Sequence, residues 1–240
     1  MRHLIREQKV VCIMLFWGLF LSNEGHAQSS FALSGGFNQS IFYCGQTKKQ
    51  YYHSFTPEDS YLINFSYREN LSALSKNLQV GAQLEFKQQS SEFYYEDLSP
   101  IDTFATRVRY DIRSINLYLF PELKVGEHIH FVFSGGPVMQ YIVNVKSKGK
   151  QLQVITGQPN IETEIDEKNS KEISGFSLGG KISFGLEVPI YKNLYITFNN
   201  AYSFGLTGMK GNLSKRMKYF NCVDINIAGG IVYQVHHEKK

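Results

Sequence analysis

The sequence predicts an all-β protein, an eight-stranded antiparallel up-and-down transmembrane β-barrel that is preceded by a cleaved signal peptide. Apolar and polar residues alternate with a period of two in eight separate segments, which is typical of strands with one apolar face and one polar face. The connections between these segments are alternately long and short, as in barrels of the bacterial outer membrane. A short apolar segment near the N-terminus indicates export.

The composition agrees with a sheet protein. Aromatic residues make up 14% of the 240 residues, with 18 Phe and 15 Tyr, and the chain has only 6 Pro. Aromatic residues are enriched in strands, whereas Pro is kept out of the interior of a sheet. After the N-terminal segment no stretch contains 18 uninterrupted apolar residues, so the sequence excludes a helical membrane protein.

The first 27 residues have the organisation of a secretory signal peptide. Three basic residues precede a twelve-residue apolar core at residues 10–21, and the small residues Gly25 and Ala27 follow it. A twelve-residue helix is too short to cross the hydrocarbon core of about 30 Å, which argues against an uncleaved anchor. We therefore predict a signal peptide at residues 1–27, cleaved after Ala27, and one barrel domain at residues 28–240.

Charge and motifs argue against nucleic-acid and cofactor binding. Without residues 1–27 the chain keeps 22 Lys and Arg residues against 19 Asp and Glu residues, a formal charge of +3. This excess is small, and the sequence contains no nucleic-acid-binding motif. The Gly-Gly-Lys at residues 179–181 lacks the spaced glycines and the following helix of a phosphate loop. We predict neither a nucleic-acid partner nor a cofactor.

Each alternating segment has a bulky apolar face and a face of small or polar residues. In the first segment Phe31 and Leu33 lie on the apolar face and Ser34 on the other, and in the fifth the apolar face includes Val143 and Val145. The eight segments are residues 31–43, 60–68, 78–88, 109–124, 128–146, 175–188, 194–206 and 221–235. We predict one strand in each segment.

Short and long connections alternate along the chain. The short ones are residues 69–77, 125–127 and 189–193, and the long ones are residues 44–59, 89–108, 147–174 and 207–220. Short periplasmic turns and long outer loops are typical of outer-membrane barrels. Because the number of strands is even, we expect both mature termini on the periplasmic side of the outer membrane.

Alternation alone does not decide which face lies outside. A soluble eight-stranded barrel of the lipocalin type also alternates, with its apolar face inside. Small and polar residues suit the narrow lumen of eight strands, and bulky apolar and aromatic residues suit a surface that faces lipid. We therefore predict a membrane barrel and retain the soluble barrel as the alternative.

Two stretches of the chain resemble a known family. The run FSLGGKISFGLEVPIYKNLYITFNNAYSFGLTGM, followed by INIAGGIVYQV, is similar to the C-terminal half of the PorT-type outer-membrane β-barrel proteins of Bacteroidetes. The segment INLYLFPELKVGEHIHFVFSGGPVMQYIV is similar to their middle strands. The likeness covers most of residues 60–235 and consists of strand patterns. It implies a porin-like outer-membrane barrel with a role in type IX protein secretion, and it carries no catalytic signature.

The charged residues on the polar faces are predicted to point into the lumen. They are Arg68, Glu85, Lys87, Glu122, Lys181, Glu187 and Asp224. Eight strands leave no continuous aqueous channel, and unpaired charges inside the barrel would be costly. We expect a buried salt-bridge network that fills the lumen, with a proton or ion path as the alternative.

Two cysteines remain in the mature chain, Cys44 at the end of the first strand and Cys222 at the start of the eighth. These strands are neighbours in a closed barrel, and partners in an antiparallel pair have residue numbers with a constant sum. If Phe31 lies opposite Val235, the sum is 266 and Cys44 lies opposite Cys222. The periplasm and the cell surface are oxidising, so we predict a disulfide between them, with two free thiols as the alternative.

Basic residues collect where the predicted strands meet the long connections. Their charge suits contact with lipopolysaccharide phosphates, and solvated loop charge is the alternative interpretation. The residues predicted to make this contact are Arg107, Arg109, Arg113, Lys146, Lys148, Lys215 and Arg216.

Residues that could carry catalysis or bind a metal are few. His53 and Ser54 precede two carboxylates at residues 58–59, but a catalytic triad is recognised by geometry rather than by such proximity. His128 and His130 share a strand face without a third ligand at a suitable spacing for zinc. We therefore predict no enzymatic activity, no catalytic residue and no metal site.

Two classes of function remain. The first is an interaction or assembly protein that presents loops or turns to secretion or envelope proteins. The second is a stand-alone surface barrel that stabilises the outer membrane or binds lipopolysaccharide or another ligand through its loops, with an enzyme acting on lipid A as a remote variant. A stoichiometric protein partner favours the first class, and bound lipid without a partner favours the second.

Overall fold

The structure of the protein is a computed structural model. It describes residues 28–44, 51–71, 74–98, 102–155, 158–168, 173–206, 209–214 and 217–236. The predicted signal peptide lies outside the described residues. The described residues form the strands β1 (Gln28–Cys44), β2 (Tyr51–Asn70), β3 (Leu78–Leu98), β4 (Asp102–Val125), β5 (His130–Ile155), β6 (Ile161–Lys168), β7 (Ile173–Ser174), β8 (Phe176–Tyr191), β9 (Leu194–Gly205), β10 (Met209–Ser214) and β11 (Met217–His236). No helix among the described residues is long and apolar enough to span a bilayer.

Eight of these strands form a closed barrel. Around the wall the order is β1, β2, β3, β4, β5, β8, β9 and β11, and each strand pairs antiparallel with its neighbours. The wall closes because β11 also pairs with β1, from Gln28 opposite His236 to Cys44 opposite Phe220. The prediction of an eight-stranded antiparallel barrel is confirmed.

The two ends of the barrel differ. Three short connections, residues 71–77, 126–129 and 192–193, lie at one end together with the first and last described residues, and we call it the turn end. The opposite end, which we call the hairpin end, carries the segments that were predicted as long connections. Much of these segments is strand, so that β1 and β2 are separated only by residues 45–50 and β3 and β4 only by residues 99–101.

The outer surface carries an apolar belt, and the lumen carries the small and polar residues. Phe37 is 73% exposed and Ile227 is 59% exposed, whereas the neighbouring Asn38 is fully buried inside the barrel. Further outward residues of the belt are Leu33, Ile63, Phe65, Phe86, Phe131, Phe133, Phe184 and Phe198. This is the polarity of a barrel that crosses a membrane, and it is the reverse of a lipocalin-type barrel. The membrane barrel that we predicted is confirmed.

Several strands run farther into the hairpin end than the alternation predicts. β2 begins at Tyr51 instead of residue 60, β3 ends at Leu98 instead of residue 88, β4 begins at Asp102 instead of residue 109, and β5 ends at Ile155 instead of residue 146. The strand β6 then folds back on β5, and β10 pairs with β11 and with β7. The predicted bounds of these strands are therefore too narrow at the hairpin end, because strands outside the membrane need backbone partners but no continuous apolar face.

A bulge in β5 changes which residues face outward. Arg113 lies opposite Asn144 and the next residue, Ser114, lies opposite Ile142, so Val143 has no partner across the β4–β5 pair. A bulge of one residue reverses the alternation beyond it. Val143 is 58% exposed, whereas Val145 is 2% exposed and points inward. The prediction that Val145 belongs to the outer face is therefore wrong.

Close backbone approach requires glycine at inward positions of the wall. A Cβ atom built on Gly36 would lie 1.9 Å from the carbonyl oxygen of Ile227, across the β1–β11 pair. A Cβ atom on the adjacent, outward Gly35 would meet nothing nearer than the carbonyl oxygen of Leu62 at 3.6 Å. The two glycines are neighbours in sequence, and only Gly36 is demanded by the packing of the barrel.

We expect Gly36→Ala to lower the free energy of unfolding by roughly 1–3 kcal/mol, because its methyl group forces β1 and β11 apart. Gly35→Ala on the same strand is the matched control and should change this free energy little. Urea titration of the purified protein in detergent micelles, followed by the gel mobility of folded and unfolded barrel, measures both. Equal stability of the two variants would contradict the β1–β11 register.

Candidate functional site: the barrel lumen and the hairpin-end rim

Four charged side chains form a neutral cluster in the middle of the lumen, which we call the central ion cluster. Lys181 Nζ lies 2.7 Å from Glu85 Oε2, and Lys87 Nζ lies 3.5 Å from Glu85 Oε1 and 2.6 Å from Asp224 Oδ2. All four side chains are at least nine-tenths buried. Two cations and two anions cancel, so the cluster holds its strands together without a net buried charge.

Neutral donors complete the shell of the central ion cluster. Asp224 accepts hydrogen bonds from Ser40 Oγ at 2.6 Å, Gln89 Nε2 at 2.9 Å and Ser203 Oγ at 3.0 Å. Asn116 Nδ2 donates to Glu85 at 2.8 Å. These four donors come from four strands, β1, β3, β4 and β9, that lie on different sides of the lumen. The network therefore links the wall across the barrel axis.

A second neutral cluster lies nearer the turn end, and we call it the turn-end ion cluster. Arg68 donates a short hydrogen bond to Glu187, and Lys124 Nζ lies 2.7 Å from the other oxygen of that carboxylate. Arg68 Nη1 also lies 3.2 Å from Glu122 Oε1, in an ion pair that lacks hydrogen-bond geometry. As in the central ion cluster, two cations balance two anions.

All seven charged residues that the alternation places in the lumen lie in these two clusters. The predicted salt-bridge network is confirmed. Lys124 was not among them, although it has the same parity as Glu122 on β4 and could have been found on that ground. For uncharged partners such as Gln89 and Ser203, the sequence predicts a place on the inward face but not the hydrogen bond to Asp224.

An apolar cluster closes the lumen on the hairpin side of the central ion cluster. This apolar plug consists of Phe42, Phe93, Val108, Tyr110, Ile112, Ile142, Val145 and Cys222, with Ile165 packed against it. The alternation predicts a polar inward face along the whole barrel, and this prediction is wrong at the apolar plug. The plug could have been predicted on β4, where Val108, Tyr110 and Ile112 occupy every second position on the inward face.

Little free space remains between the clusters. A polar cavity of about 30 Å³ lies among Ser66, Gln83, Ser183, Thr197 and Asn226. Its volume is on the order of a single water molecule. The apolar plug and the two ion clusters therefore occupy much of the described lumen.

The predicted disulfide between Cys44 and Cys222 is wrong in register. Cys222 lies opposite Phe42, and Cys44 lies opposite Phe220, so partners on β1 and β11 sum to 264 rather than 266. Cys222 is a free, buried cysteine whose thiol donates to Asp224 Oδ1 at 3.1 Å. The alternation alone does not fix this register. If β1 slides along β11 by two residues, the sum of the partner numbers changes by two and every side chain stays on the same face.

Acidic neighbours bind two of the predicted basic rim residues. Arg107 Nη2 donates to Glu92 Oε2 at 2.9 Å, and these hydrogen bonds lower the pKa of the Glu92 carboxyl. Arg109 lies 2.8 Å from Glu58 and 3.3 Å from Asp111. The charge of these two arginines is therefore partly neutralised within the protein.

Three basic residues form a ledge at the hairpin-end border of the apolar belt. Arg113, Lys146 and Lys148 are exposed on β4 and β5, and we call them the basic ledge. Within the described part of the chain none of the three forms an ion pair with a carboxylate. Lys215 and Arg216 lie outside the described residues. The ledge therefore offers three positive charges at the height where a lipid headgroup would lie.

The remaining candidate residues do not assemble into a catalytic or metal centre among the residues described. The backbone of His53 and Ser54 lies in β2, opposite Tyr95 and Tyr94 of β3. His130 lies against the ring of Tyr195, with 5.6 Å between ring centroids. No group of three or more potential metal ligands occurs in the described parts of the chain.

Comparisons with known proteins return only distant structural similarity. No family model matches the chain, and no curated protein matches its sequence. The crystal structure of Ail, the attachment invasion locus protein of Yersinia pestis, has a TM-score of 0.39 and 13% identity over 85% of this chain and 99% of Ail. The outer membrane protein OprG of Pseudomonas aeruginosa has a TM-score of 0.47 and 12% identity, over 89% of this chain and 99% of OprG. Neisserial surface protein A has a TM-score of 0.42 and 10% identity, over 88% of this chain and 100% of its own. The strand pairing of the chain itself, rather than these similarities, establishes the fold.

We expect Lys181→Met to lower the free energy of unfolding by roughly 3–5 kcal/mol, because it leaves an excess negative charge buried in the central ion cluster. Combining it with Glu85→Gln removes one charge of each sign and should restore part of the loss. A urea titration compares the two variants with the wild type. A double variant less stable than Lys181→Met would contradict the balance of charge in this cluster.

Proposed function

We propose that the protein is a non-conducting barrel of the bacterial outer membrane that acts as an interaction protein through its hairpin end. The observation that supports this is the length of its strands. β4 has 24 residues and β5 has 26, whereas a strand needs about 9–11 residues to cross a membrane. About half of each strand therefore extends beyond the belt, while the lumen beneath it is filled.

The extensions form a sheet that suits a protein partner. One row of residues crosses five strands, from Thr56 through Glu92, Arg109 and Lys148 to Asp166. The row carries two adjacent basic side chains, Arg109 and Lys148, with an acidic side chain on each side of them. Strands held in a continuous sheet present such charges in a defined geometry, and charge complementarity favours specific partners over non-specific ones.

The family resemblance in the sequence suggests what the partner is. PorT-type barrels imply a role in type IX secretion, so the proposal in its specific form is that the hairpin end or the turn end contacts a component of that apparatus. In either form the hairpin end faces the cell exterior and both mature termini lie in the periplasm, as expected for an exported barrel with an even number of strands.

We expect affinity isolation of the cross-linked protein from outer membranes in mild detergent to recover a partner in stoichiometric amount, identified by mass spectrometry.

A variant in which Asn-Gly replaces residues 95–106 should fold, because it joins the paired residues Tyr94 and Arg107 by a two-residue turn. Loss of the partner in this variant would assign binding to the hairpin end. Recovery of the protein alone from wild-type membranes would contradict the interaction function.

A second function is supported by the basic ledge. Arg113 lies two residues beyond Ile115 of the belt on β4, and Lys146 lies just beyond Val143 on β5. Charged side chains at the outer border of a membrane lie at the depth of lipid phosphates. We therefore propose that the ledge binds the phosphates of lipopolysaccharide, which would anchor the barrel in the outer leaflet.

We expect replacement of Arg113, Lys146 and Lys148 by Gln to reduce the lipid A that co-purifies with the protein several-fold. Arg107→Gln with Lys150→Gln is the matched control, because those charges already pair with Glu92 and Glu162. Lipid A per barrel, measured by mass spectrometry, should fall only in the first variant. An equal fall in both variants would mean that general positive charge, rather than the ledge, retains lipid.

A further inference from the structure

One polar side chain lies in the middle of the apolar belt. Asn200 occupies the outward face of β9 between Phe198 and Tyr202, six residues from the start of the strand and five from its end. Its neighbours across the adjacent strands are Ile227 and Phe184, which are 59% and 44% exposed. Asn200 Oδ1 is buried against the wall and accepts no hydrogen bond.

An unpaired amide at this depth needs an explanation. Hydrocarbon offers no hydrogen-bond partner, and a polar group without a partner is destabilising there. Polar residues on the faces of membrane proteins mark sites of function or association. Since χ2 of Asn is a soft torsion, the amide turns outward at little cost if a partner is present.

On the β11 side of Asn200 a hollow lies two residues nearer the turn end than Ile227 and Phe37. Gly35 and Gly229 lie directly opposite each other on β1 and β11, and both are exposed. A Cβ atom on Gly35 would have no neighbour within 3.5 Å, and one on Gly229 none within 3.7 Å, since their nearest contacts are 3.6 Å and 3.8 Å. The packing of the barrel itself therefore does not require glycine at these two positions.

The other flank of Asn200 is bulky. Phe184 and Leu186 of β8 lie beside it, with Phe131 and Phe133 of β5 beyond them. These side chains and the two glycines border one groove of about 620 Å³ on the outer surface. In the row next to Asn200, the surface therefore has Leu186 and Phe131 on one side of Phe198 and the two glycines on the other side.

We infer that this surface binds a second copy of the chain, in a dimer whose two-fold axis lies along the membrane normal and passes beside Asn200. Two copies in one membrane have the same orientation, so this axis places each residue at the depth of its own counterpart. An amide has both a donor and an acceptor, so two Asn200 side chains can satisfy each other. The same axis sets Leu186 and Phe131 of one copy against the hollow at Gly229 and Gly35 of the other.

A lipid acyl chain fits the surface less well than a second copy. It would fill the groove and leave the amide of Asn200 without a partner. A partner protein of another kind would have to supply a polar group at the same depth, whereas a second copy supplies one by symmetry. The inference is independent of the proposed function of the hairpin end.

Cysteine cross-linking in native outer membranes tests the inference. In a Cys44→Ser background, Asn200→Cys places a thiol at the proposed axis, while the remaining Cys222 is buried inside the barrel. Leu84→Cys is the matched control: it lies six residues from the start of β3, on the opposite side of the barrel, and faces outward. Oxidation should give several-fold more disulfide-linked dimer from Asn200→Cys than from Leu84→Cys or the parent.

A second measurement does not depend on introduced cysteines. Sedimentation in mild detergent should show a dimer for the wild type, and Asn200→Leu should weaken dimerisation on the order of tenfold, as loss of a polar contact between membrane segments does. Gly229→Leu fills the hollow and should abolish the dimer while the barrel remains folded by gel mobility.

Three outcomes would overturn the inference. Equal cross-linking of the Asn200→Cys and Leu84→Cys variants would indicate random collision in the membrane. A monomeric wild type that carries bound lipid would assign the groove to an acyl chain. Cross-linking of Asn200→Cys to a different polypeptide would assign it to a heterologous partner.

Discussion

The narrow lumen of an eight-stranded barrel brings inward charged side chains from non-adjacent strands into contact across the barrel axis. Water has little room to replace a missing partner beside these charges, because the polar cavity among the described lumen residues has a volume of only about 30 Å³. The seven charges predicted from the alternation, together with Lys124, satisfy this constraint as two clusters without net charge. The strands of the wall are held in their register by these cross-lumen contacts as well as by their backbone ladders.

The filled lumen also decides where function can reside. The apolar plug lies on the hairpin side and the ion clusters occupy the middle and the turn end of the described lumen, so the interior is packed as a core. The two ends and the lipid-facing surface are the exposed parts of the barrel. At the hairpin end β4 and β5 continue for about as many residues beyond the belt as within it.

The lipid-facing surface is less uniform than an inert membrane anchor needs. Most outward positions carry bulky apolar side chains, as expected in hydrocarbon. Asn200 and the opposed pair of Gly35 and Gly229 depart from that rule in the same region of the wall. At the hairpin-end border the basic ledge is a third departure, because its charges have no acidic partner among the described residues. The barrel fold does not require these residues at these positions, so they are the places on the outer surface where a role in binding is most readily sought.

The eight strands of the barrel wall, most of the outward positions and seven of the eight charged residues of the lumen follow from the sequence alone, because a period of two is a local property of a strand between lipid and a packed interior. The alternation does not fix features that depend on contacts between strands distant in sequence. The sum of partner numbers in the β1–β11 pair, and with it the fate of Cys44 and Cys222, is set by closure of the whole wall. The inward turn of Val145 follows from a bulge against β4, the plug forms from residues of five strands, and the strand extensions follow from backbone pairing beyond the membrane. Each of these features depends on contacts between residues that are far apart in the sequence. No local pattern connects such residues, so these features become visible only once the strands are paired.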